Sequence, residues 1–156
     1  TDPLPMHRLR QGVQLATAAD DDRVAPLFDA YRQFYGLPSD LSLCLRYLAE
    51  RLGRDESVVL LAADADGTAL GFVQMYPGFS SLAAARTCVL YDLFVDPSVR
   101  QRGVGRALMQ EALRALRAIA LTAPVSLHQC DAPERSVTPG TASATVVVPA
   151  GRTSRS

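Results

Sequence analysis

The sequence predicts an α/β fold with the element order β-α-α-β-β-β-α, and three observations predict it. Two apolar ladders at helical spacing follow one another: Val24, Leu27, Phe28, Tyr31 and Phe34, then Leu41, Leu45, Leu48 and Leu52. Two β-rich runs, residues 57–63 and 68–76, flank Asp64-Ala65-Asp66-Gly67, the composition of a hairpin turn. Finally, an apolar run with Val89, Leu90, Leu93, Phe94 and Val95 stops at Pro97 and passes through a basic, glycine-bearing turn into a third amphipathic stretch.

In chain order, residues 13–17 alternate well enough for a first strand. Asp20, Asp21 and Asp22 supply an N-cap and an acidic first turn that tolerates Pro26, and Gly36 and Pro38 end the helix that follows. Ser39 or Asp40 caps the second helix and Gly53 closes it. After the hairpin, Pro77-Gly78-Phe79-Ser80-Ser81 reads as a loop and residues 86–95 as the fourth strand. A helix over 104–120 turns Leu108, Ala112, Leu116 and Ile119 to one face and Arg106, Arg114 and Arg117 largely elsewhere.

The junction before that helix is Arg100-Gln101-Arg102-Gly103-Val104-Gly105-Arg106-Ala107. Two glycines let backbone approach a ligand, and the first helical turn leaves N–H groups without partners. With the helix dipole and three arginines, these make an anion site suited to a pyrophosphate. A bare Gly-x-Gly also fits an ordinary tight turn. It is neither a Walker A loop, since Gly-Lys-Ser/Thr is missing, nor a full Gly-x-Gly-x-x-Gly, since Met109 follows Leu108.

The longer string, Asp92-Leu93-Phe94-Val95-Asp96-Pro97 followed by Arg100-x-x-Gly103-x-Gly105, resembles the acetyl-CoA motif of the Gcn5-related N-acetyltransferases, Gln/Arg-x-x-Gly-x-Gly/Ala after the fourth strand. The resemblance implies a GNAT-like acyl-CoA N-acyltransferase fold with a mixed sheet, and acetyl-CoA as cosubstrate. It implies that backbone amides from Gln101 through Arg102, Gly103, Val104 and Gly105 to Arg106 hold the pyrophosphate, with Arg100 and Ala107 flanking. It also implies that the edge of Leu93, Phe94 and Val95 pairs with the pantetheine arm. A carboxylate near the end of the fourth strand usually deprotonates the acceptor ammonium in this family, and Asp92 is the carboxylate available. Its alternative reading is a solvated or salt-bridged strand residue. Tyr91 and Asp92 point to opposite faces of a regular strand, so at most one faces the cleft. Tyr31 and Tyr35 with Arg32 from the first helix, and Tyr76 from the third strand, are candidates to line the acceptor pocket, or else pack in the core or at its rim.

The totals set the remaining bounds. At 156 residues the chain is one domain's worth, and 16 basic against 16 acidic residues give no charge excess that would seek nucleic acid. No apolar run reaches the length of a membrane span and no signal-type leader opens the chain, so a cytoplasmic protein is expected, with residues 1–10 as a flexible leader. Cys44, Cys88 and Cys130 are scattered and His7 and His128 isolated, which gives neither a metal site nor a nucleophile pairing and leaves inert thiols. The expected partners are acetyl-CoA and an amine acceptor, small molecule or protein, with a homodimer as an option.

After Ala120 the composition changes. All five Phe and all five Tyr lie upstream, and residues 121–156 are rich in Ser, Thr, Ala, Pro and Val. Only residues 125–127 and 146–148 suggest strands. The family normally continues with a fifth strand and a helix whose tyrosine protonates the CoA thiolate; no tyrosine follows Tyr91. Residues 121–156 are therefore expected to be a low-complexity, disordered tail without the family's last strands. All sixteen basic residues are arginine, which points to a GC-rich gene, and a tail of this kind is what such DNA yields when read out of frame. The coding DNA decides that point. Three readings of function follow: an N-acetyltransferase acting on a primary amine by direct attack in a ternary complex, a non-catalytic acetyl-CoA-binding remnant, or a nucleotide-binding module using the same anion turn.

Overall fold

The computed structural model describes residues 12–81, 84–119, 126–128 and 144–147; at 80, 85–87, 117–119 and in the last two segments the description covers backbone alone. Its elements are β1 Val13–Leu15, α1 Asp21–Phe34, α2 Leu41–Gly53, β2 Val58–Ala63, β3 Ala69–Ser80, β4 Ala85–Val95, α3 Val104–Ile119, β5 Ser126–His128 and β6 Ala144–Val147. Through α3 this is the expected β-α-α-β-β-β-α order. Among the described residues the strands form one sheet in the order β1-β2-β3-β4-β6-β5, with α1 and α2 on one face and α3 on the other.

Every described pairing is antiparallel, where a mixed sheet is expected. The strand after α3 would lie parallel to β4 if it returned beside it by a crossover. Instead β5 pairs with β6, and β6 lies against β4. These two short strands sit close to the segments that the tail's sequence singled out. The rest of the expectation for residues 121–156, and that for residues 1–10, falls outside the described residues.

Three local expectations are corrected. Residues 77–81 are not a loop up to Ser80: β3 runs through Pro77 and Gly78 in register with Cys88 and Thr87. Proline is tolerated there because β2 starts only at Val58, opposite Met75, so among the described residues β3 has a strand on one side only from Tyr76 onward. Leu41 is 45% exposed, since α2 buries Cys44 and Leu48 and turns its first residue outward. Phe34 is 47% exposed, as the last residue of α1. The acidic start of α1 is also preceded by a 3-10 turn, Ala18–Asp20. Thr17 caps it: its backbone N–H donates to Asp20 Oδ2 at 2.9 Å and its Oγ1 accepts from the Ala19 N–H at 3.3 Å.

The core forms two layers. Phe72, Phe94, Val59, Leu61, Val24, Leu27, Cys44 and Leu48 fill the space under α1 and α2. Leu60, Val73, Met75, Cys88 and Leu90 meet Leu108, Ala112 and Leu116 of α3, the face foreseen for that helix; the side chains of Arg117 and Ile119 lie outside the described residues. Gly71 is a point of close approach between β3, β4 and α3. A Cβ there would stand 2.8 Å from Phe94 O and 3.2 Å from Leu108 Cδ1, so only glycine lets β3, β4 and α3 meet.

Buried Asp29 ties α1 to the start of α2. Its Oδ2 accepts from Ser39 Oγ at 2.7 Å and Gln33 Nε2 at 3.0 Å, and its Oδ1 from the Asp40 N–H at 2.8 Å. The Ser39 hydroxyl first, and then the Asp40 N–H, hold its carboxyl below the ordinary value of 3.8. A depressed folded-state pKa contributes stability above the unfolded value and loses it as pH falls through the folded one. Asp29→Asn is therefore expected to be less stable at neutral pH by about 2 kcal/mol. Urea titrations should show the gap to the parent narrowing as pH drops below about 4. A gap that is constant with pH would contradict this account of Asp29.

Candidate active site

The site is built around an irregularity in β4. Gln74 pairs with Asp92 and the next β3 residue, Met75, pairs with Leu90, so Tyr91 is an extra residue, a bulge. Leu90 belongs to the α3 layer and Phe94 to the α1/α2 layer, and the bulge switches the alternation between them. As a result Tyr91 and Asp92 share one face of the sheet: Asp92 bonds Tyr31 of α1, and Tyr91 meets Tyr76, whose hydroxyl reaches Tyr47 of α2. This corrects the expectation of opposite faces, which holds for a regular strand only.

Asp92 is the centre of a polar chain. Its Oδ1 accepts from the Tyr31 hydroxyl at 2.7 Å and its Oδ2 from Gln74 Nε2 at 3.1 Å. Gln74 Nε2 also donates to Tyr76 Oη at 2.6 Å, and the Tyr76 and Tyr47 hydroxyls share a hydrogen bond of 2.8 Å. Burial first, then the bond to Asp92, pushes the Tyr31 phenol well above its ordinary value, so it stays a proton donor to the carboxylate. Burial and then the Tyr47 bond raise Tyr76 in the same direction. Gln74 is fully buried, and its Oε1 has no hydrogen-bond partner among the described residues. Tyr35 stands edge-on to Tyr31 at 5.1 Å and is exposed.

Gln74 and Tyr47 were missed from sequence. Tyr47 carries no signal, as one aromatic on a helix. Gln74 does: it is the lone polar residue in Gly71-Phe72-Val73-Gln74-Met75, and a polar side chain inside a buried strand demands a partner.

Beyond the bulge, β4 has two different edges. On one side Leu93, Phe94 and Val95 pair with Val73, Phe72 and Gly71. On the other, β6 covers only Cys88, Val89 and Leu90, so among the described residues the backbone from Asp92 to Val95 has no strand beside it. The Phe94 side chain itself is core. This open edge leads into the anion turn. Asp96 turns the chain by accepting from Ser98 Oγ at 2.7 Å and the Ser98 N–H at 2.8 Å. Those bonds, the hydroxyl's first, keep its carboxyl low. Arg100 then clamps the turn: its Nε donates to Val95 O at 3.1 Å and its guanidinium lies 5.6 Å from the Phe94 ring centre.

Gln101 and Gly103 adopt positive φ, 69° and 80°, and Gln101, Arg102 and Gly103 are exposed. The helix ladder begins with Ala107 N–H to Gly103 O at 3.0 Å, so the amides of Val104, Gly105 and Arg106 precede it. A Cβ on Gly105 would touch only Val95 Cγ2 at 3.5 Å, an ordinary contact. The fold therefore does not require glycine there, whereas a ligand pressed against the turn would. The donor set, helix dipole and open strand edge fit an extended acyl carrier with a phosphorylated end. Elsewhere, Cys44 and Cys88 are buried free thiols, and burial pushes Cys88 up to about 11, far from a nucleophile's range. Cys130, His7 and the side chain of His128 lie outside the described residues. Among the described residues no helix is long and apolar enough to cross a membrane.

The family model "Acetyltransferase (GNAT) family" matches residues 22–135. The chain belongs to the GNAT acetyltransferase family. The family match runs past Ala120, further than the resemblance extends in the sequence reading. Among relatives, "Uncharacterized N-acetyltransferase YhfO" of Bacillus subtilis is 42% identical over 100 residues, covering 64% of this chain and 66% of that protein. A "Probable acetyltransferase" of Haemophilus influenzae is 38% identical over 87 residues, 56% of this chain and 60% of that one. The chain thus spans a little under two thirds of the curated relatives it matches. A crystal structure of a "probable acetyltransferase" superposes with a TM-score of 0.64 at 40% identity, over 67% of this chain and 70% of that one.

Proposed function

We propose that the chain is an acetyl-CoA-dependent N-acetyltransferase that moves an acetyl group to a primary amine by direct attack in a ternary complex. What carries this reading is one arrangement: the uncovered edge of β4 joins the Asp92 network at one end to the free amides at the start of α3 at the other. In it, the pyrophosphate of acetyl-CoA rests on the amides from Gln101 to Arg106 and its arm follows Leu93 to Val95. Bound there, acetyl-CoA supplies the activated acyl group.

The chain's own residues do the rest. Asp92, held by Tyr31 and Gln74, keeps acceptor capacity for an ammonium and takes its proton directly or through water. The amine lone pair then forms the N–C bond as the C–S bond breaks, and the departing thiolate takes up the proton that the acylated nitrogen sheds, leaving neutral amide and free thiol. Tyr31 and Gln74 fix the carboxylate so that its position does not have to be found during reaction. Tyr31, Tyr76 and the rim residue Tyr35 form the acceptor side. Membership in the family supports acetyl transfer, and the carboxylate at the bulge supports an amine acceptor.

The test is a thermal-shift titration with acetyl-CoA, with ATP as control. A ligand that binds only the folded state adds about 2.7 kcal/mol at a hundredfold excess over its dissociation constant. An upward shift with acetyl-CoA and none with ATP is expected. A shift with ATP alone would favour a nucleotide-binding module, and no shift in a cooperatively melting sample would contradict the cofactor site.

A further inference from the structure

The polar chain from Asp92 ends in a groove that the transfer reaction does not itself require. This groove, about 560 Å³, is lined by Tyr47, Arg51, Asp55, Glu56, Tyr76 and Tyr91 with Pro77. It adjoins the site because Tyr76 is at once a groove wall and the residue bonded to Gln74, which bonds Asp92. Three aromatic rings converge there: Tyr76 and Tyr91 stand edge-on at 5.1 Å, and the Tyr47 and Tyr76 hydroxyls touch.

The charges are arranged for a cation. Arg51 already lies over the Tyr47 ring at 5.3 Å, so the aromatic wall holds a positive group in this structure. Arg51 is in turn paired with Glu50 at 3.0 Å and Glu56 at 3.4 Å, so its charge is largely compensated from within the protein. Asp55 adds a second acid to the lining, and no described residue pairs with its carboxylate. Glu56 is engaged by Arg51 and lies 3.8 Å from Arg54, so Asp55 is the carboxylate left to a ligand. Two carboxylates and one guanidinium in the lining leave the groove net negative, beside rings whose faces attract cations.

We propose that this groove binds a second cationic group of the acceptor, so that the preferred substrate class is a small diamine or polyamine. This rests on the N-acetyltransferase reading above: one ammonium faces Asp92 for transfer while the other sits among Tyr47, Tyr76 and Tyr91 near Asp55 and Glu56. An amino acid is disfavoured because its carboxylate would meet the uncompensated acid Asp55, while Arg51 is already paired with Glu50 and Glu56.

The experiment is direct binding by calorimetry to the whole chain, separate from turnover. Diamines from 1,3-diaminopropane to 1,6-diaminohexane, and spermidine, are compared with monoamines of equal carbon number. At least one diamine is expected to bind about tenfold tighter than its monoamine, the sum of a cation–π contact and an exposed ion pair. Asp55→Asn should remove most of that preference. Asp55 has φ of 53°, a conformation asparagine adopts readily, so this variant keeps the end of α2 intact. Equal affinity for diamines and monoamines, or a preference that survives Asp55→Asn, overturns the proposal. A diamine that binds with the preference but is never acetylated leaves the groove's ligand standing and overturns the transferase reading instead.

Discussion

Replacing Gly105 with aspartate is expected to leave the fold intact and to abolish the thermal shift caused by acetyl-CoA. The two halves of this expectation have different causes. A Cβ at Gly105 meets only Val95 Cγ2 at 3.5 Å, and the backbone there is helical, so nothing in the protein resists the side chain. An acidic residue in the first turn of a helix also interacts favourably with the dipole, by roughly 0.3–1 kcal/mol. The ligand-free Tm should therefore hold or rise slightly. The same carboxylate, set among the amides of Val104, Gly105 and Arg106, takes the donors a phosphate needs and repels its charge. A shift of about 2.7 kcal/mol at saturating acetyl-CoA should fall to nothing measurable. Gly103→Ala is a different experiment: its φ of 80° strains any side chain, so a loss of binding there would mix with a loss of stability.

Asp92→Asn is the second large effect. Removing a proton acceptor in general base catalysis typically costs about 10²-fold or more in turnover. The local structure should survive, because each neighbour has an alternative. The asparagine oxygen can accept from Gln74 Nε2, which keeps its place, and the new N–H₂ can donate to the Tyr31 hydroxyl oxygen. Affinity for acetyl-CoA should change by less than about twofold, since the anion turn is untouched. The comparison that decides is kcat against pH for parent and variant. A fall in kcat with unchanged acetyl-CoA binding supports Asp92 as the base; equal turnover across the whole range removes it from the mechanism.

The parts of this fold that were legible in sequence are those fixed by local chemistry. Asp40 caps α2 through the Leu43 N–H, Leu108, Ala112 and Leu116 define the buried stripe of α3, and Gly103 takes the positive φ that the turn needs. The candidate anion turn could be named for the same reason: its backbone N–H groups come from consecutive residues. The candidate acceptor site was only half legible. Asp92, Tyr31 and Tyr76 could be named as candidates, but their assembly depends on the bulge at Tyr91, which is a mismatch between two strands and is written in neither alone. Tyr47 enters through the packing of α2 against the sheet, and Gly71 is required by the approach of three elements distant in sequence. Pro77 misled because its missing N–H argues against a central strand, and only the late start of β2 makes its position an edge.

The most direct test of the account is to follow free thiol released from acetyl-CoA by this chain, with and without a primary amine, while mass spectrometry looks for the acetylated amine. The account predicts thiol release that depends on the amine, matched mole for mole by N-acetyl product and reduced about 10²-fold in Asp92→Asn. Tight acetyl-CoA binding with no amine-dependent thiol release from any amine offered would contradict it, and would make the chain a cofactor-binding remnant of its family.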